Sequence, residues 1–149
     1  MVEVGAEESK QQAIRGRSRA RRLVLQALYQ WLIAGHEPLE IEDQFRADRD
    51  LEGADLGYFH ELIQAIPAQV SSLDEALDPW LDRPLAQLDP VERATLWIGA
   101  YELLNRRDIP YRVTINEAVI LSKAFGAEQA HRYVNGVLDK LARQTRAGE

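Results

Sequence analysis

Apolar residues recur three and four positions apart along almost the whole chain, and no other feature limits the fold so strongly. In the first run, Ala20, Val24, Ala27, Leu28 and Trp31 share one face of a helix. Further on, Phe59, Leu62, Ile63, Ile66 and Val70 do the same, as do Val91, Ala94, Ile98 and Tyr101, and later Tyr133, Val134, Val137, Leu138 and Leu141. Nowhere do apolar and polar residues alternate long enough for a half-buried strand, and no hairpin turn signal occurs. The expected fold class is all-α: about seven helices in two small packed helical bundles, without a β sheet. At 149 residues the chain is long enough to bury a real core as one domain.

Local chemistry places the helix ends. The first helix is expected over residues 12–34, stopped by Gly35, and Pro38 opens a short second helix with Ile41 and Phe45 inward. A third starts near Leu56 after the bend DRDLEGAD, and Pro67 inside it should kink it or end it early. Ser72 and Glu75 read as a capping box for a short helix ending before Pro84. Asp89, Pro90 and Glu92 make the clearest start, with an N-cap acid, proline at the first helical position and an acid at the third. Thr114 and Glu117 read as another capping box, Gly126 as a stop, and residues 128–143 as the last helix.

Charge is segregated. The chain carries a formal −6, yet between Ser9 and His36 it holds Lys10, Arg15, Arg17, Arg19, Arg21 and Arg22 and no acid. At 100° per residue, Arg15, Arg19, Arg22, Gln26 and Tyr29 line up on one side of the first helix, opposite Val24 and Trp31. Arg17 and Arg21 fall on the flank nearer the apolar face. Guanidinium groups grip phosphate oxygens two at a time, and a tyrosine ring offers a stacking face to an unpaired base. A basic stripe ending in an aromatic is thus the pattern expected for single-stranded nucleic acid. Positive charge near a helix N-terminus opposes the macrodipole, so local stability gives no reason for it. The competing reading is a solvated basic helix start on a helical protein-binding scaffold.

Other chemistries lack a starting point. There is no cysteine, hence no disulfide, thiolate nucleophile or thiolate metal site. No phosphate-binding glycine loop and no H-E-x-x-H pair occurs, and His36, His60 and His131 are far apart in sequence. No enzyme activity, cofactor or metal is expected. Neither a membrane span nor a signal-peptide pattern is present, and the expected location is cytoplasmic.

Three stretches, RARRLVLQALYQW, YELLNRRDIPYRVTINEAVILSKAFG and HRYVNGVLDKL, resemble the NusB family of bacterial transcription antitermination factors, and the similarity extends from about Arg17 to Leu141. This resemblance implies an all-helical protein that pairs with NusE, a ribosomal small-subunit protein, and binds the boxA element of nascent ribosomal RNA transcripts. The complex then joins RNA polymerase with other Nus factors. The family's arginine-rich start maps onto Arg17, Arg19 and Arg21, and its RNA-proximal aromatic onto Tyr29. The start of the last helix, near the RNA in the family, corresponds to Glu128, Gln129 and Arg132. The family's NusE-facing surface includes Glu92 and, by extension, Trp80. Departures are the Gly16, Ser18 and Ala20 that thin the arginine run, the helix-interrupting Pro67 and the acidic residues before Lys10.

The expected layout is a flexible acidic extension over residues 1–14, one helical RNA-binding domain over 15–143 and a polar tail over 144–149. Oligomeric state differs within the family. A homodimer covering the arginines would hide the RNA site until a partner arrives.

Overall fold

The computed structural model of the chain describes residues 2–149. Seven α-helices run in order: α1 Val2–Ala34, α2 Pro38–Asp48, α3 Leu56–Ala68, α4 Val70–Leu77, α5 Pro90–Asn105, α6 Tyr111–Phe125 and α7 Ala130–Thr145. Short 3-10 turns occupy Asp78–Trp80 and Leu85–Gln87. Among the described residues there is no strand.

The chain divides into two compact units, Met1–Ala65 and Ile66–Glu149. In the first, Val24 and Leu28 of α1, Ile41 and Phe45 of α2, and Phe59, Leu62 and Ile63 of α3 are buried. Each contributes about 1.5–3 kcal/mol by leaving water. Phe45 and Phe59 stack with ring centroids 6.1 Å apart. Glu42, buried beside them, is a fully partnered carboxylate: His60 Nδ1 lies 2.8 Å from both its oxygens, Gln64 donates at 2.9 Å, and Arg46 donates at 2.8 Å. Burial alone would raise the Glu42 pKa, but the bonds from Arg46, His60 and Gln64 outweigh it and hold the carboxyl below its ordinary range.

In the second unit α5, α6 and α7 pack around Leu96, Trp97, Leu103, Val134, Leu138 and Leu141, with Leu73 and Leu77 of α4 added at one side. The Trp97 indole donates to Asp74 at 2.6 Å. Gly99 sits mid-helix because α7 approaches closely there, and a Cβ on it would lie 2.5 Å from Leu138 Cδ1. Asp89 caps α5 as expected, its carboxylate accepting from the Val91 amide at 2.8 Å. Arg146 is buried just past α7 and donates to the carbonyls of Glu102, Leu103, Arg106 and Ile109 and to the Glu149 carboxylate.

Several local expectations change. The first helix begins at Val2 instead of residue 12, because the alanine, glutamates, glutamines and lysine there are strong helix formers and the early acids suit the positive end of the dipole. Helix α3 ends one residue past Pro67, and the chain turns at Gln69 straight into α4. Ser72 therefore lies within α4 and caps nothing. Helix α6 begins at Tyr111 behind Pro110, so Thr114 is inside it, buried, with its hydroxyl donating to Glu102 at 2.9 Å. Helix α7 begins at Ala130, two residues later than expected. At the other end, Arg146 and Glu149 tie down the residues expected as a tail.

Candidate nucleic-acid interface

Helix α1 positions the arginines, and the structure divides them into two groups. Arg15, Arg19 and Arg22 are exposed, as is Tyr29 at 44% of its surface, while Gln26 is half-buried on the same face. Arg17 and Arg21 turn the other way. Their guanidinium carbons lie 5.2 and 5.5 Å from the centroid of the Tyr58 ring on α3, and Arg21 is only 3% exposed. Two side chains one helical turn apart thus lie over one aromatic ring, a contact that anchors α1 within the first unit. Arg21 belongs to that packing and not to the open stripe.

Within the exposed group, Arg19 is held in place without being neutralised. Arg19 Nη1 donates to the Glu52 carbonyl, and its guanidinium lies over Gly53, whose φ of +80° and lack of Cβ make room for it. The Asp55 amide donates to the Gly16 carbonyl at 3.0 Å, so the 50–55 loop supports α1 there. An open groove of about 890 Å³ lies here, with Arg15 and Arg19 on one wall and Asp50, Glu52 and Asp55 on the other. Asp50 and Asp55 accept from the amides of Glu52 and Tyr58, both at 3.0 Å, which explains the acids as turn and helix caps. Among the described residues no carboxylate pairs with Arg15, Arg19 or Arg22.

Sequence reasoning missed one cation. Arg49, at the end of α2, donates to Gln26 Oε1 at 3.1 Å and lies 4.6 Å from the Phe45 ring centroid. Gln26 in turn donates to the Arg22 carbonyl at 3.3 Å. Arg49 therefore extends the stripe beside Arg22. Its place among acids in the 46–55 bend gave no sign of this.

In the second unit, Glu128, Gln129 and Arg132 are exposed around the start of α7. Gln129 has φ of +76°, a left-handed conformation that disfavours any residue with a Cβ. Glu92 lies half-buried in the first turn of α5. Burial raises its pKa; Arg83 opposes this, while Asp89 and Asp82 add to it. Trp80 is half-buried with its indole nitrogen sealed from solvent and unpaired among the described residues. No cluster of three metal-ligating side chains occurs among the described residues, and no helix there is long and apolar enough to cross a membrane.

The sequence pattern of the NusB family matches residues 18–143. The transcription antitermination protein NusB of Alcanivorax borkumensis is 54% identical over 133 residues, which cover 89% of each chain. Among solved structures, T. maritima NusB superposes with a TM-score of 0.74 at 32% identity, covering 86% of this chain and 91% of that one. A chain in a crystal structure of the antitermination factors NusB and NusE in complex with double-stranded RNA superposes with a TM-score of 0.80 at 25% identity, covering 87% of this chain and 98% of that one.

Proposed function

The chain belongs to the NusB family, and from that premise we propose that it is a transcription antitermination factor that binds boxA RNA of nascent ribosomal RNA transcripts together with NusE. It acts by binding, as an adaptor in the cytoplasm that helps assemble the antitermination complex on RNA polymerase with other Nus factors. The observation that carries this reading is the state of Arg15, Arg19 and Arg22: exposed, unpaired with carboxylates among the described residues, and on the face of α1 that presents Tyr29.

The division of labour follows from side-chain chemistry. Arg15, Arg19 and Arg22, with Arg49 beside them, hold phosphates and supply salt-dependent affinity. Tyr29 stacks an unpaired base, and Gln26 offers an amide beside it. Arg17 and Arg21 support the helix through Tyr58. Gln129 and Arg132 add polar contacts from the start of α7, and Glu128 bounds that surface. Glu92 and Trp80 belong to the surface we assign to NusE. A second copy of the chain docked on α1 would compete with RNA for the same arginines.

Competition binding tests the proposal. A fluorescent single-stranded boxA RNA is titrated with the protein, with and without NusE, and displaced by unlabelled boxA, by a random single strand and by a blunt duplex. The expected order is boxA first, with NusE raising affinity by extending the surface. Equal displacement by all three competitors, unaffected by NusE, would instead favour a scaffold whose arginines meet any polyanion.

A further inference from the structure

A second groove, of about 510 Å³, runs between α6 and α7, within the size range of sites that take small ligands. We propose that it seats an unpaired nucleotide of the bound RNA, outside the segment held by α1; this rests on the RNA-binding reading above. Arg112 from the first turn of α6 and Arg132 from the first turn of α7 line it. Because a short 126–129 turn joins these helices as an antiparallel pair, the two first turns lie toward opposite ends of the groove.

Charge decides the class of occupant. Arg112 is held by neutral contacts: it donates to the Tyr111 hydroxyl at 3.1 Å and lies 5.7 Å from that ring's centroid. Among the described residues neither Arg112 nor Arg132 has a carboxylate partner. The carboxylate lining the groove, Asp139, is already bridged to Arg143 at 3.0 Å. The groove thus carries uncompensated positive charge in a chain whose formal net charge is −6.

Its floor fits the other half of a nucleotide. Ile115 and Val119, one helical turn apart and half-buried, give an apolar surface for a flat ring. Asn116 and Asn135 face the same space, each with a donor and an acceptor able to read a base edge. Two cations for phosphate, an apolar floor and two amides repeat on α6 and α7 the chemistry of the α1 stripe.

The test uses the full chain with NusE and two boxA RNAs, one limited to the element and one extended by flanking nucleotides carrying 4-thiouridine. The variant Arg112→Ala/Asn116→Ala alters exposed side chains, and circular dichroism confirms that its helices are intact. It is expected to bind the extended RNA about tenfold more weakly, the loss of a phosphate contact and an amide hydrogen bond. Its slope of log K against log salt should flatten by about 0.7, and crosslinks to α6 peptides should disappear. Arg19→Ala/Arg22→Ala provides the separate check on α1. Wild-type affinity in the groove variant overturns the groove, while a loss confined to the α1 variant leaves the primary reading standing. Weakened NusE binding with unchanged RNA affinity also overturns it, assigning the groove to a protein segment. Failure of the wild-type chain to bind either RNA overturns both readings together.

Discussion

Replacing Arg146 with alanine should destabilise the α4–α7 unit more than any surface change. The side chain is 1% exposed and donates to four carbonyls, Glu102, Leu103, Arg106 and Ile109, at 2.9 to 3.0 Å. Glu102 and Leu103 lie in the last turn of α5 and Arg106 just past it; the Glu102 and Arg106 carbonyls also accept from the Arg106 and Ile109 amides, at 2.9 and 3.0 Å. Charge-assisted bonds contribute about 1.5–3 kcal/mol each, so simple addition gives roughly 6–12 kcal/mol. Water entering the vacated space recovers part of that, and removing one partner from a buried ionic cluster typically costs about 3–5 kcal/mol, the value expected here. In thermal unfolding, at about 2–4 °C per kcal/mol for a chain of this length, Tm should fall by roughly 6–20 °C. Arg146→Lys keeps the charge but not the fork, and should lose about half as much. A urea titration should show a lower midpoint with an unchanged slope. A loss under about 1 kcal/mol in the alanine variant would refute the reasoning, because backbone amides and water would then satisfy the four carbonyls without the guanidinium.

Two further outcomes follow from the geometry. Gln129→Gly should stabilise the protein by about 1 kcal/mol in denaturant titrations, since glycine adopts φ of +76° without the Cβ penalty. The Glu42 carboxyl sits below its ordinary pKa of 4.5, so the stability it contributes is present above that value and is lost as pH falls through the depressed one. In Glu42→Gln that part of the acid-side decline should vanish from a plot of unfolding free energy against pH.

What the sequence disclosed depended on how far apart the interacting residues lie. Asp89 was legible as a cap because its partner, the Val91 amide, is two residues away. Local spacing makes Thr114 look like a cap for the same reason, yet its partner is Glu102 on the preceding helix, which no spacing rule could supply. The outward face of α1 followed from helical phase alone. The role of the two inward arginines did not, because it depends on Tyr58 in another helix. Arg49 escaped notice because its link to the stripe passes through Gln26, 23 residues earlier. Hydrophobic periodicity does not reach the start of α1, because residues 5–15 bury nothing and only helix propensity marks them.

The salt dependence of boxA RNA binding tests the cationic-stripe account most directly. With about four to five phosphates held, log K against log salt should fall with a slope near −3 for a single strand. Removing Arg15, Arg19 and Arg22 together should flatten that slope by about 2. A slope near zero in the wild type, or the same slope in the triple variant, would contradict the assignment of these three arginines to the RNA.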